Sequence, residues 1–205
     1  MPRVIGLTGG IGVGKSTVAA HLARHGAIVV DCDQLGRDVV VPGGRAHGAV
    51  IETFGSGIAA PDGSIDRAAL ARIVFSEPEQ LARLNAVVHP AIDAEIAERI
   101  TAADDDAVVV LDMAVLTESD LGRGQYQEVL VVEAPREQRL ERLIEQRGMS
   151  REDAEARMAS QATDAERRRI ADHVLVNGGD LDRLAADVDS WWSAHGPTTP
   201  TGPDQ

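Results

Sequence analysis

Gly9-Gly10-Ile11-Gly12-Val13-Gly14-Lys15-Ser16 is the stretch around which the rest of the chain is arranged. It has the G-x-x-x-x-G-K-S spacing of a phosphate-binding loop, and its flanks suit that task. The apolar run Val4-Ile5-Gly6-Leu7 before it reads as a short buried strand. Thr17 to Ala23 after it keeps helical spacing without Gly or Pro. Glycines at 9, 10, 12 and 14 let the backbone turn tightly and aim N–H groups at phosphate oxygens. The start of the following helix adds its positive dipole end. In this geometry Lys15 reaches the β- and γ-phosphates and the Ser16 hydroxyl ligates Mg²⁺. Lys15 is also the only lysine, every other Lys or Arg position being arginine, so a compact ammonium stands where the loop needs one.

Composition narrows the rest. The 205 residues fit one α/β domain with room for an inserted subdomain. Aromatics are only 2%, so the core has to come from Val, Leu, Ile and Ala. A net charge of −13 argues against a nucleic-acid surface and requires a local positive site to draw in a polyanionic substrate. Cys32 is the only cysteine, so no internal disulfide forms, which suits a reducing cytoplasm. The N-terminus enters a strand at once, leaving no room for a signal peptide, and no apolar stretch is long enough to span a bilayer.

Further buried strands are expected at Ala27–Val30, Ala107–Leu111, Val129–Val132 and His173–Val176. The first of these ends in Asp31-Cys32-Asp33, beyond the carboxyl end of a strand, where open α/β sheets bind ligands. One of the two carboxylates is expected to face an acceptor. The competing reading makes Asp33 an ordinary helix N-cap before Gln34-Leu35. Cys32 between them suits packing. About 42–102 has no convincing strand and reads as a helical insertion, with Asp66 capping one helix and another starting near Pro78. His89-Pro90 breaks the pattern there, and a ligand role and a helix-boundary role for His89 stand level. Asp112, after four apolar residues and at a strand end, has the position of a Walker-B-like Mg²⁺ carboxylate.

A helix from Pro135 to Gln146 carries Arg136, Arg139 and Arg142, with Arg147 beside it; salt bridging to Glu137, Glu141 and Glu145 competes with a role over the γ-phosphate. Gly148 ends that helix and Ser150 caps the next, so about 142–165 reads as a mobile lid. Arg167-Arg168-Arg169 reads equally well as surface. Asn177 follows the last strand, with the donor and acceptor an adenine edge requires, or as half of a plain Asn-Gly turn. A closing helix is expected from about Leu181 to Trp192, and 196–205 reads as a disordered tail.

Together these residues resemble the dephospho-coenzyme A kinase family over about Val4 to Val188. The resemblance rests on Gly6 to Thr17, Asp31-Cys32-Asp33, Pro42-Gly43, Phe54-Gly55, Asp62 to Leu70, His89-Pro90-Ala91-Ile92, Gln161, Ala171-Asp172 and Asn177. It implies a three-layer α/β/α P-loop kinase of the nucleoside-kinase type. Residues 1–195 would hold a five-stranded parallel sheet (core about 1–40 and 105–195), the helical coenzyme A-binding insertion and the helical lid. It further implies that Gly10, Ile11, Gly12, Val13, Gly14, Lys15, Ser16 and Thr17 bind ATP phosphates, with Asn177 by the adenine. Asp33 would act on the ribose 3′-hydroxyl of dephospho-coenzyme A, with Thr8 and His89 also on that substrate. Arg147 would stabilise the transferring group, and Ser16 and Asp112 would hold Mg²⁺. The family's usual Pro-Leu-Leu-Phe-Glu is replaced by Ala114-Val115-Leu116-Thr117-Glu118, which keeps the glutamate but neither the proline nor the bulky residue. Rival readings are a shikimate-kinase-like enzyme and a nucleotide-binding regulatory protein. The guanine motif Asn-Lys-x-Asp cannot occur where Lys15 is the only lysine, which argues against a GTPase. No motif speaks to oligomeric state.

Overall fold

The computed structural model describes residues 1–197; most of the stretch expected to be a disordered tail, 198–205, lies outside them. Five strands, β1 (Arg3–Gly9), β2 (Ile28–Asp31), β3 (Val108–Asp112), β4 (Glu128–Glu133) and β5 (His173–Val176), form one sheet in the order β2-β3-β1-β4-β5. β1 runs parallel to both β3 and β4, and β4 runs parallel to β5. The near-continuous apolar runs of β3 and β4 follow from burial on both faces of a parallel sheet.

Helices α1 (Lys15–Arg24) and α9 (Leu181–His195) cover one face. There Val18, Leu22, Leu184, Val188 and Trp191 pack against Ile5, Leu7, Val108, Val110, Leu130 and Val132. On the other face Leu116 and Tyr126 stand against Gly6, so close that a Cβ at Gly6 would meet Leu116 at 2.6 Å. The chain leaves β1 toward β2 and leaves its neighbour β4 toward β5, in opposite directions along the sheet, which opens a crevice at their carboxyl ends. The phosphate loop stands there.

The chain divides into two compact units, one of Met1–Val30 with Ile100 onward, the other of Asp31–Arg99. The second contains α2 (Cys32–Asp38), α3 (His47–Phe54), a 3₁₀ turn (Ser56–Ile58), α4 (Arg67–Val74) and most of α5 (Pro78–Thr101). Asp66 caps α4, accepting from Ala68 N at 2.9 Å and Ala69 N at 3.0 Å. The break expected at His89-Pro90 does not occur: α5 runs unbroken through Pro90. Proline there deprives the Ala86 carbonyl of its helical donor, but Ala86 and Pro90 are both exposed, so water can take that place. Leu81 on this helix is also exposed, and burial concentrates at Ile92 and Ile96.

After α6 (Arg136–Arg147) the chain forms two short helices, α7 (Arg151–Ala159) and α8 (Asp164–Ile170). Ser150 caps α7 as expected, and a capping box of Thr163 and Glu166 starts α8. No described helix is long and apolar enough to cross a membrane.

Candidate active site

The loop is built from residues with little backbone preference of their own, so something else has to fix its shape. Gly12 and Gly14 adopt positive φ of 81° and 91°. Four consecutive peptide planes are each held by a side chain from α6, from the segment between α7 and α8, or from the end of β5. The Gly10–Ile11 plane is held at its N–H, which donates to Gln161 Oε1 at 2.8 Å. The Ile11–Gly12 plane is held at its carbonyl by Arg139 Nε at 2.9 Å. Arg142 Nη1 donates to Gly12 O at 3.1 Å, and Asn177 Nδ2 donates to Val13 O at 2.9 Å. A planar peptide points N–H and C=O in opposite directions. Holding the carbonyls of Ile11, Gly12 and Val13 therefore aims the amides of Gly12, Val13 and Gly14 to the other side of the loop. Val13 N–H turns back onto Gly10 O at 3.3 Å.

Lys15 and Asp112 meet in an ion pair, with side chains 17% and 15% exposed. The strand register explains the meeting: Asp112 is paired with Leu7 across β1 and β3, just short of the loop. A cation fits this place, because an ammonium already stands against the carboxylate. Among the described residues no cluster of three or more His, Cys, Asp or Glu forms a metal cage. Ser16 and Asp112 would thus hold Mg²⁺ together with phosphate oxygens and water, the oxygen-rich shell that ion prefers. Thr8 is fully buried, and its hydroxyl has no hydrogen-bond partner among the described residues.

A cleft of about 320 Å³ opens beside the loop, lined by Ser16, Thr17, Arg142, Arg147, Asn177 and Leu181 among others. Arg147, the last residue of α6, is exposed at its rim. Arg139 and Arg142, weighed equally with it in the sequence, are engaged on the loop backbone. Burial pulls the Arg139 guanidinium below its ordinary pKa and nearby Arg167 adds to that, against the attraction of Asp164.

The sequence reading of Asn177 needs revision. The residue is 2% exposed. Its side-chain oxygen accepts from Arg142 at 3.1 Å and from Gly179 N at 3.2 Å, while its nitrogen holds Val13 O. The donor and acceptor offered to an adenine edge are thus engaged on the loop. Arg167, read as equally well surface, is 1% exposed and bonded to Ala162 O and Glu118. Gln161 and Arg139 as holders of the loop were not visible in the spacing, because their contacts cross more than 120 residues of chain.

In the other unit, Asp31 rather than Asp33 is the N-cap of α2, accepting from Gln34 N at 2.8 Å. β2 persists through Asp31, which places Asp33 inside the first turn with an exposed carboxylate. Cys32 is buried, as its packing role implies. His89 sits half-buried inside α5.

Comparison with known proteins agrees with this geometry. The dephospho-CoA kinase family model matches residues 3–183. A dephospho-CoA kinase of Frankia casuarinae is 51% identical over 188 residues, covering 92% of this chain and 81% of the relative. One from Streptomyces avermitilis is 48% identical, covering 92% of each. A crystal structure from Thermus thermophilus superposes with a TM-score of 0.80 at 36% identity, over 95% of this chain and 98% of that one.

Proposed function

The chain belongs to the dephospho-CoA kinase family, and from that premise we propose how its residues move the γ-phosphate of ATP to the 3′-hydroxyl of dephospho-coenzyme A, giving coenzyme A and ADP. It is a phosphotransferase with an alcohol acceptor. The observation that carries the residue assignments is the meeting of Lys15 with Asp112 at the mouth of a glycine loop whose peptide planes are held from behind.

Phosphoryl transfer asks a protein chiefly for positioning and charge neutralisation. The amides of Gly12, Gly14, Lys15 and Ser16 cradle the phosphates. Lys15 leaves Asp112 for the β- and γ-phosphate oxygens, and Ser16 and Asp112 hold Mg²⁺. When bound, that ion neutralises charge on the β- and γ-oxygens. Asp33 orients or deprotonates the 3′-hydroxyl, an exposed carboxylate being available to a substrate. Thr8 gives its unpaired hydroxyl to the substrate, where a bond would recover the cost of burying it. Arg147, at the rim of the cleft and without a backbone carbonyl to hold, neutralises the transferring group. The Asp31–Arg99 unit, with His89, receives the coenzyme A moiety, and the reaction takes place in the cytoplasm.

Purified protein is incubated with Mg·ATP and dephospho-coenzyme A, with shikimate and AMP in parallel, and products are identified by mass. Coenzyme A in the first tube alone is the expected result. ADP formed equally in all tubes would overturn the acceptor assignment.

A further inference from the structure

Three of the four loop planes are held at a carbonyl, which needs a donor, and arginine and asparagine supply it. The Gly10–Ile11 plane is held the other way round, at its N–H, and the acceptor is the carboxamide oxygen of Gln161. This plane is the one with most to lose from release. Glycines at 9 and 10 precede it, so little in the backbone opposes its rotation. Rotation would also carry away Gly10 O, which accepts from Val13 N–H within the loop.

Gln161 stands on the short strap between α7 and α8, and the strap is fixed on both sides. Ser160 N–H closes α7 onto Ala156 O at 3.0 Å. Ala162 N–H donates to Glu118 Oε1 at 2.8 Å, and Ala162 O accepts from buried Arg167 at 2.5 Å. Arg167 in turn reaches Glu118 at 3.2 Å. Thr163 then caps α8. With its neighbours pinned, the Gln161 side chain has a fixed origin from which its oxygen reaches the loop. A displacement of the strap with the lid helices would be felt at the Ile11 amide.

We propose that Gln161 is a positioning residue for phosphoryl transfer: from the α7–α8 strap it fixes the Gly10–Ile11 peptide, and with it the aim of the loop amides, without touching substrate. This rests on the reading of the loop as the ATP phosphate cradle. Glu118, which survives in the altered 114–118 segment, then has a task as the anchor of the strap.

Two variants and one measurement independent of activity test the proposal. Gln161→Met keeps length and removes the strong acceptor, whereas Gln161→Glu keeps an oxygen in place. For Gln161→Met the expected result is a roughly tenfold lower kcat, a KM for dephospho-coenzyme A within about twofold of wild type, and Ile11 amide exchange faster by about tenfold. Its thermal midpoint stays within about 2 °C. Gln161→Glu is expected to return kcat to within about threefold of wild type. A Gln161→Met kcat within about twofold of wild type, a Gln161→Glu enzyme as slow as Gln161→Met, or unchanged Ile11 exchange each overturns the proposal. So does a loss of kcat accompanied by a thermal midpoint lowered by more than about 6 °C, which would make Gln161 merely structural. If the wild-type protein forms no coenzyme A, the functional reading fails instead, and Ile11 exchange alone decides the role of Gln161.

Discussion

The phosphate loop and the Asp31–Arg99 unit are tied by polar bonds of opposite kinds. The loop packs Ile11 and Val13, and buried or half-buried groups from distant parts of the chain grip its backbone. The helical unit has a buried apolar core that includes Val50, Ile58 and Ile96, and its polar ties lie near its surface. Arg45 bridges Glu95 at 2.6 Å and also Glu98, His47 meets Gly63 O at 2.9 Å, and Asp62 closes its turn onto Ser64. That unit also leaves Phe75 77% exposed. Exposed ion pairs contribute little, whereas a buried carbonyl stripped of its donor is costly. The polar bonds most costly to lose are thus concentrated where phosphate geometry matters, and those of the unit proposed to receive the acceptor add little to its apolar core.

The contrast can be broken at its strongest point. Lys15→Ala should lower turnover by about 10³-fold with the fold intact, and Asp33→Asn by about 10²-fold with ATP affinity within about threefold of wild type. Single-turnover rates and a nucleotide titration separate the two; normal turnover in Asp33→Asn would remove that residue from the acceptor site. Next comes the grip on the loop. Asn177→Ala strips a buried donor from Val13 O, and should weaken ATP binding roughly tenfold and lower the thermal midpoint by about 4 °C. Arg45→Ala makes the matching change in the helical unit and should move the midpoint by no more than about 2 °C. Equal shifts in the two variants would erase the distinction.

The smallest effect lies at the amino ends of the strands. Burial pushes the Glu128 carboxyl up, but hydrogen bonds from Arg3 and His173 outweigh it and hold its pKa below the ordinary carboxylate value. A carboxyl depressed in the folded state contributes stability above its unfolded pKa, and that contribution is lost as pH falls through the folded pKa. Glu128→Gln should therefore flatten the decline of the thermal midpoint between about pH 5 and pH 3. An unchanged slope would show that this cluster does not couple to folding.

Local signals in the sequence were legible. The G-x-x-x-x-G-K-S spacing placed the loop, the runs at 108–111 and 129–132 placed central strands, and Asp66 and Ser150 announced their helices. Asp31 and Asp33 show the limit, because either can cap a helix and only the end of strand pairing decides which does. Pro90 misled for a related reason: proline breaks a helix when the orphaned carbonyl is buried, and exposure is not written in local spacing. Gln161, Arg139 and Arg167 were out of reach because their task is defined by what tertiary packing brings to the loop. A basic run such as Arg167-Arg168-Arg169 looks uniform in sequence, yet Arg167 is buried while Arg168 lies 60% exposed against Glu133.

The ion pair of Lys15 with Asp112 has a practical consequence. Lys15 is the only side-chain amine in the sequence, and it is largely shielded where it stands. An amine-selective acylating reagent therefore has one side chain to find, inside the nucleotide loop, besides the exposed α-amine of Met1. The extent of labelling at Lys15, followed by peptide mass with and without nucleotide, turns the protein into its own occupancy gauge without an engineered probe.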